Sequence, residues 1–314
     1  MTLSRDELAR LERLRELFLA EPDGRSALAD YWRDERDLAA YDRVLGARIG
    51  WKWDAVLLEC RDRGFGRADG EVVLDYGCGS GIAARRFVAA FGAREVLCHD
   101  RSPRAMAYAS ARLAAEHRGV ATRSLADLGD LRPDVLLVSH VLGELDEAGV
   151  DRLAALVRRS RRALLVEPGN RAISRRLVAL RERLRGDVLV LAPCPHQAVC
   201  PVAARRDDWC HFFAPPPPEV FTDGDWVRAA RAVGIDSRAL PYAFLAVQAA
   251  AVGEVQASPP DRLLGRPQVL PHSARVQVCE ASGLRDVDLP KRADKELWRR
   301  LKKEPETVRH LPPA

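Results

Sequence analysis

The chain has 314 residues, more than one small domain needs and fewer than three would take, so one large domain with an insertion is expected. Hydrophobic residues at 47% and charged residues at 30% allow a buried core and exclude global disorder. No run approaches the roughly 20 apolar residues of a membrane helix, and Asp6, Glu7, Glu12 and Glu16 among the first arginines argue against a transit peptide, so a cytoplasmic protein without membrane contact is expected.

Residues 1–68 read as helices. Ser4 and Glu7 form a capping box, and Leu8, Leu11, Leu14, Leu17 and Phe18 give a helical stripe. A second helix is expected over 28–45 and a third over 51–60. No catalytic constellation stands out here, so a packing or partner-binding role is the expectation. From Glu71 apolar strands alternate with helices: strands at 72–76, 96–99, 122–125, 134–139 and 163–167. This alternation predicts a doubly wound parallel sheet, an α/β class with a Rossmann-like core over 69–252.

The helix ending at Arg185 carries Ile173, Leu177, Leu180 and Leu184 on one face and arginines on the rest. Residues 152–185 hold eleven Arg and two acids, a local charge of +9 in a chain of net +5, whereas residues 1–50 are at −2. Such asymmetry points to a polyanion partner, with Arg175, Arg176 and Arg183 as candidate phosphate contacts. Of 50 basic residues only five are lysine: Lys52, Lys291, Lys295, Lys302 and Lys303. A GC-rich genome, which favours Arg and Ala codons, is the blander and favoured explanation of the bias, and Arg forks suit phosphates either way. Residues 186–222 form a Cys- and Pro-rich insertion ending in Pro215–Pro218. A helix over 221–233, strands over 242–248 and 274–280, and a mixed-charge helix over 291–304 complete the reading. Residues 253–314 then form a C-terminal strand and basic tail.

Val72 to Tyr76 runs into Gly77-Cys78-Gly79-Ser80-Gly81, a strand entering an Asp-x-Gly-x-Gly-x-Gly loop before a helix. A dinucleotide fingerprint would need glycine at position 82, where Ile82 stands. The loop, with Asp75, Gly77, Gly79 and Gly81, resembles motif I of class I S-adenosylmethionine (SAM) methyltransferases, which packs on the methionine part of the cofactor. Asp100 ends the next strand, where an acid can accept hydrogen bonds from both ribose hydroxyls. Asp127 matches the acid that this fold often places near the adenine.

The spacing Cys194-x5-Cys200-x9-Cys210 puts three thiols within seventeen residues. Without a secretory signal, metal or cluster binding is the expected use. Cys279, His196 and His211 compete for a fourth ligand position, and spacing alone leaves iron and zinc both open. A nucleophilic Pro-Cys pair is the alternative chemistry, but cytosine-C5 methyltransferases place it after the fourth strand, where Ser139 and His140 stand here.

Together Asp75-x-Gly77-x-Gly79-x-Gly81, Ser139-His140-Val141-Leu142-Gly143-Glu144-Leu145, Val166-Glu167-Pro168-Gly169, Ala192-Pro193-Cys194-Pro195-His196, Cys200-Pro201, Asp208-Trp209-Cys210-His211-Phe212 and Leu240-Pro241-Tyr242-Ala243-Phe244 resemble the methyltransferase-like proteins of the small ribosomal subunit, over roughly residues 51–295. The resemblance implies a class I SAM fold, a [4Fe–4S] cluster on Cys194, Cys200, Cys210 and Cys279, and association with the small subunit and its ribosomal RNA during assembly. It leaves catalysis open. Amino-group methyltransferases carry (Asp/Asn)-Pro-Pro-aromatic after the fourth strand, and this chain does not. His140 is a candidate general base or a structural histidine, and Glu167 is a second candidate. Two expectations follow: a SAM-dependent ribosomal RNA methyltransferase, or a non-catalytic assembly factor that holds SAM and the cluster as structural or sensory ligands.

Overall fold

The computed structural model describes residues 2–19, 30–250 and 259–312. The expected start of the second helix, at residue 28, lies outside the described residues. Helix α1, Arg5–Leu19, opens with the expected capping box: the Glu7 amide donates to Ser4 Oγ at 3.2 Å, and the Ser4 amide to Glu7 Oε2 at 2.8 Å. Helix α2, Glu35–Tyr41, is capped by Asp34 and does not end where the sequence suggested. It passes through a π-helical turn, Asp42–Gly46, into α3, Ala47–Asp62. The two expected helices are therefore one rod with a local widening, a feature common at functional sites. Asp42, in that turn, forms a buried ion pair with Arg85 and so ties the rod to the sheet domain.

The central sheet is built from β1 Val72–Tyr76, β2 Glu95–His99, β3 Ala121–Ser124, β4 Val135–Ser139, β5 Arg162–Pro168, β6 Val188–Ala192, β7 Phe212–Phe213 and β8 Pro241–Ala249. Between them run α4 Ile82–Phe91, α5 Pro103–Glu116, α6 Glu147–Arg159, α7 Arg171–Leu184, α8 Glu219–Thr222 and α9 Gly224–Ala232. The order is β3-β2-β1-β4-β5-β8-β6, with β7 also on β8. β1 to β5 pair in parallel; β8 is antiparallel to both β5 and β6. This is the doubly wound, mainly parallel α/β sheet that the sequence predicts, with one reversed strand. The middles of its inner strands are apolar, as strands covered on both faces require: Val135–Val138 and Ala163–Val166 are all buried, with the charged Arg162 and Glu167 buried at the ends of β5. The order reverses between β1 and β4, which opens a crevice at the carboxyl ends of the strands.

Three sequence expectations change here. Residues 188–192, assigned to the insertion, are β6 of the sheet. The helix expected over 221–233 breaks at Asp223, whose side chain caps α9. The single expected C-terminal strand is the middle of a three-stranded antiparallel sheet: β9 Asp261–Val269, β10 Ser273–Glu280 and β11 Gly283–Pro290. Helix α10, Lys295–Lys303, packs on it through Leu297 and Leu301. β9 and β11 escaped the sequence reading because they are edges: Pro267 interrupts one and acidic residues the other, and edges tolerate both. Arg262 of β9 reaches Glu59 of α3 with bonds of 3.1 and 2.9 Å in a buried pair that docks this sheet onto the rod. Among the described residues, no helix is long and apolar enough to cross a membrane.

Candidate active site

A cavity of ≈ 490 Å³ opens at the crevice between β1 and β4. Its floor is the glycine loop. Gly77, Gly79 and Gly81 all have positive φ (69°, 50° and 75°), which favours glycine at each. A Cβ on Gly77 would lie 2.4 Å from Val141 Cγ2, and one on Gly81 would lie 2.9 Å from Ala109 Cβ. At Gly79 a Cβ would meet nothing within 4 Å, because this residue faces open space. Gly77→Ala is therefore expected to lose about 2–4 kcal/mol from overpacking plus backbone strain, and Gly79→Ala only about 1 kcal/mol from strain. Urea unfolding of both variants checks the ranking.

Asp100 follows β2 and organises the loop. Its Oδ2 accepts from the Gly79 amide at 3.0 Å and its Oδ1 from the Ser102 amide at 2.9 Å. Burial pushes its carboxyl above the ordinary range, and the two amides oppose that. Gly77, Gly79, Asp100 and His140 thus line one cavity, as the motif spacing suggested. The other nominated residues are placed elsewhere. Asp75 lies fully buried, and burial drives its carboxyl well up against the opposing Ala84 amide. It belongs to the core beneath the loop. Asp127 is exposed and accepts from the Gly129 amide at 3.0 Å. His99, stacked on Tyr76 with 5.3 Å between ring centroids, lines the cavity in that direction.

Glu167, at the end of β5, is buried behind the cavity wall. Its Oε1 accepts from the Val141 and Leu142 amides, both at 3.0 Å, and so fixes the loop that carries His140. Burial pushes its carboxyl up to about 8. His140 has a φ of 58°, a left-handed conformation uncommon outside glycine, and its imidazole is held well below its ordinary range by burial and by Lys52 and Arg48.

The sequence reading missed the contribution of the N-terminal region. Tyr41, Leu45, Arg48, Ile49 and Lys52 share one face of the rod and line the cavity. Phe18, Tyr31 and Trp32 join Tyr41 in an aromatic roof, with Tyr31–Trp32 and Trp32–Tyr41 centroids 4.8 and 5.2 Å apart. The signal was present as four aromatics within residues 18–41 and a lone Lys52, but only the fold reveals that they face the glycine loop.

The thiols form a second centre. Cys194, Cys200 and Cys210 line a small space between α7 and β8. Cys279 of β10 faces the same place, with its Sγ 3.7 Å from His196 Nε2. The four thiols are close enough to raise one another: Cys210 feels Cys194, Cys200 and Cys279. Burial is the larger cause, pushing Cys194 up to about 11 and Cys279 up to about 12. Arg181 and Arg63 lie near Cys194 and oppose its shift. Among the described residues, no group of three or more His, Cys, Asp or Glu side chains is arranged around a single metal ion. Cys60, Cys78 and Cys98 are buried in the core, as expected of small apolar residues.

The nominated phosphate-binding arginines have internal partners. Arg175 donates to the carbonyls of Arg205, Asp208 and Ala203 at 2.7, 3.2 and 3.4 Å and so clamps the thiol-bearing segment onto α7. Arg176 donates to the Leu145 carbonyl at 2.6 Å, and Arg183 pairs with Asp151 and Glu147 at 2.7 and 3.1 Å. This geometry favours a structural role for all three over free phosphate contacts.

Solved structures offer loose likenesses. The plantazolicin methyltransferase BamL, crystallised with S-adenosylhomocysteine (SAH), is 12% identical over 78% of this chain and 97% of its own, with a TM-score of 0.40. A provisionally assigned RNA methyltransferase from Pyrococcus horikoshii is 12% identical over 65% and 84%, with a TM-score of 0.39. A precorrin-6y C5,15-methyltransferase from Geobacter metallireducens is 16% identical over 42% and 71%, with a TM-score of 0.33. Likeness at this level says nothing further about this chain. No curated protein matches it significantly. The family described as mitochondrial small ribosomal subunit Rsm22 matches residues 69–304, a span that holds the glycine loop, Asp100, His140 and all four converging cysteines. The chain belongs to the Rsm22 family.

Proposed function

We propose that this protein is a SAM-binding methyltransferase that acts on small-subunit ribosomal RNA during assembly of that subunit. The observation that carries the reading is the cavity itself: a glycine loop with one glycine facing open space, a half-buried acid bonded to that glycine, and aromatic rings above. These residues fit the cofactor. Asp100 keeps lone pairs for ribose hydroxyls, and the aromatic roof offers faces for a flat base. Bound SAM supplies an electrophilic methyl group. The chain positions it, excludes water with the roof and presents His140 and Lys52 to the acceptor side. The ribosomal RNA partner rests on family membership. Mapping methylation of small-subunit RNA with and without the gene tests it. One missing methyl group in the deletion, restored by the wild-type gene and not by Asp100→Ala, is expected. An unchanged map with a defect in subunit assembly favours the non-catalytic reading, which the absence of an amine-orienting motif after β4 supports.

We further propose that Cys194, Cys200, Cys210 and Cys279 hold a [4Fe–4S] cluster. Four converging thiols, two buried and two half-buried, with two nearby guanidiniums suit a cluster, which is several atoms across and takes ligands spaced more widely than a single ion does. Such a site would join the segment after β6 to β10 and close a long loop, which stabilises by restricting the unfolded chain. Anaerobically purified protein is expected to be brown and to contain iron and sulfide, with loss of colour in Cys210→Ser. A colourless protein with one zinc per chain would refute iron and keep the ligands; four free thiols and no metal would remove the site.

A further inference from the structure

Lys52 is the only lysine in the first 290 residues; the other four lie between 291 and 303. Elsewhere the chain uses arginine for positive charge. Arginine would serve at any position that needs a fixed cation, but its guanidinium does not release a proton in proteins. A lysine buried in the wall of the cavity therefore suggests a use for a removable proton.

The surroundings agree. Lys52 Nζ lies 3.4 Å from His140 Nε2, and His140 Nδ1 lies 3.5 Å from Ser139 Oγ, which accepts from Trp53 Nε1 at 2.9 Å. His140 is held in its left-handed conformation by its own amide, bonded to the Val166 carbonyl at 3.0 Å, and by Glu167 beneath the next two residues. The charged and titratable groups facing Lys52 are Arg48 one turn earlier on α3, His140 after β4 and Glu167 at the end of β5. Arg48 is bound to the Asp236 and Ala239 carbonyls at 2.8 and 3.2 Å and stays a fixed cation. Burial and Arg48 push the Lys52 amine down to about 7, against a smaller upward pull from Glu167.

We propose that the Lys52 amine, with His140 beside it, receives the proton that the methyl acceptor gives up in this cavity. The proposal rests on the cofactor reading of the same cavity. The acceptor is an O–H or N–H group. Its oxygen or nitrogen bonds to the methyl carbon, the carbon–sulfur bond breaks with its electron pair left on sulfur, and the acceptor's proton passes to Lys52 Nζ, which becomes an ammonium. Exchange with water through the cavity mouth then returns the amine. His140, which stays neutral, accepts a hydrogen bond from that ammonium and orients it.

The test begins without turnover. Reductive methylation of the full chain with labelled formaldehyde gives dimethyl-lysine signals from only five side chains, and Lys52→Arg identifies one of them. That signal is expected to titrate near pH 7, while the other four titrate near the ordinary value of about 10.4. Added SAH should shift its midpoint. A midpoint within one unit of the other four overturns the proposal. The second measurement compares Lys52→Arg with Lys52→Met. Both should keep SAH affinity within about threefold and lose methyl transfer to small-subunit RNA by roughly 100-fold or more, the scale of general-base catalysis. If Lys52→Met loses SAH binding while Lys52→Arg keeps both binding and turnover, Lys52 is a fixed charge and the proposal fails. Wild-type calorimetry separates the two levels: no SAH binding removes the cavity reading and the proposal with it, whereas binding alongside an ordinary Lys52 midpoint removes the proposal alone.

Discussion

Arg262→Met is expected to destabilise the fold by about 3–5 kcal/mol, because it removes the hydrogen-bonded partner of the buried Glu59 carboxylate and leaves only Arg309, 3.7 Å away. Glu59 is 1% exposed and Arg262 5%. The guanidinium also lies 4.1 Å from the Phe212 ring centroid, so packing is lost together with charge. Replacing both residues, as Glu59→Leu with Arg262→Met, should recover most of the loss, since an apolar pair of similar volume needs no compensation. Urea unfolding of the two single variants and the double variant measures this directly. The consequence reaches the thiols. Arg262 pairs in register with Cys279 across β9 and β10. Loosening this sheet moves Cys279 away from the other three cysteines, so the single variant should also lose any bound cluster faster.

The second large effect belongs to Glu167. Its carboxyl, pushed up to about 8, holds a proton in the folded chain that the unfolded chain releases near the ordinary value. A raised folded pKa gives stability that is fully present below the unfolded pKa and is lost as pH rises through the folded one. Wild-type stability from this group should therefore fall between about pH 4.5 and 8, by on the order of 3–5 kcal/mol. Lys52 works in the opposite sense: its depressed pKa gives stability present at high pH and lost as pH falls toward about 7. Below pH 7 its contribution is flat, but His140, Asp75 and Asp100 also titrate differently in the folded chain, so the difference between variant and wild type is what isolates Glu167. Glu167→Gln keeps an acceptor for the Val141 and Leu142 amides and removes the ionisation. The difference in stability between variant and wild type should grow in the variant's favour from pH 5 to 7. A difference that stays constant over that range contradicts the assignment. Glu167→Leu, which leaves both amides unbonded, should instead lose about 1–3 kcal/mol per amide at every pH.

How far the sequence carried depended on whether a feature is local. The inner strands β1, β2, β4 and β5 are short apolar runs bounded by turns, and their periodicity alone places them within a residue or so. The glycine loop and Asp100 are legible for the same reason, since strand, turn, helix and acid follow one another along the chain. The π-helical turn was not, because it changes no periodicity strongly enough to be read. β9 and β11 were hidden by the proline and acids that edge strands accept. Long-range partners were hidden most. Arg175, Arg176 and Arg183 look free for phosphate on a helical wheel, yet their partners lie 28 to 36 residues away. Lys52 sits 88 residues before His140 in the chain and within 3.4 Å in space. The cysteines are an intermediate case: three are neighbours in sequence, and the fold brings the fourth to them from β10.

The most direct measurement of the central claim is SAH binding to the cavity by calorimetry, with wild-type protein and Asp100→Ala side by side. Wild type should bind one SAH per chain saturably. Asp100→Ala, folded by its unfolding midpoint, should bind roughly 10- to 100-fold more weakly, the loss of about 1–3 kcal/mol that one or two hydrogen bonds to a charged acceptor carry. A well-folded wild-type chain that takes up no SAH, or an Asp100→Ala chain that binds it with unchanged affinity, would contradict the account.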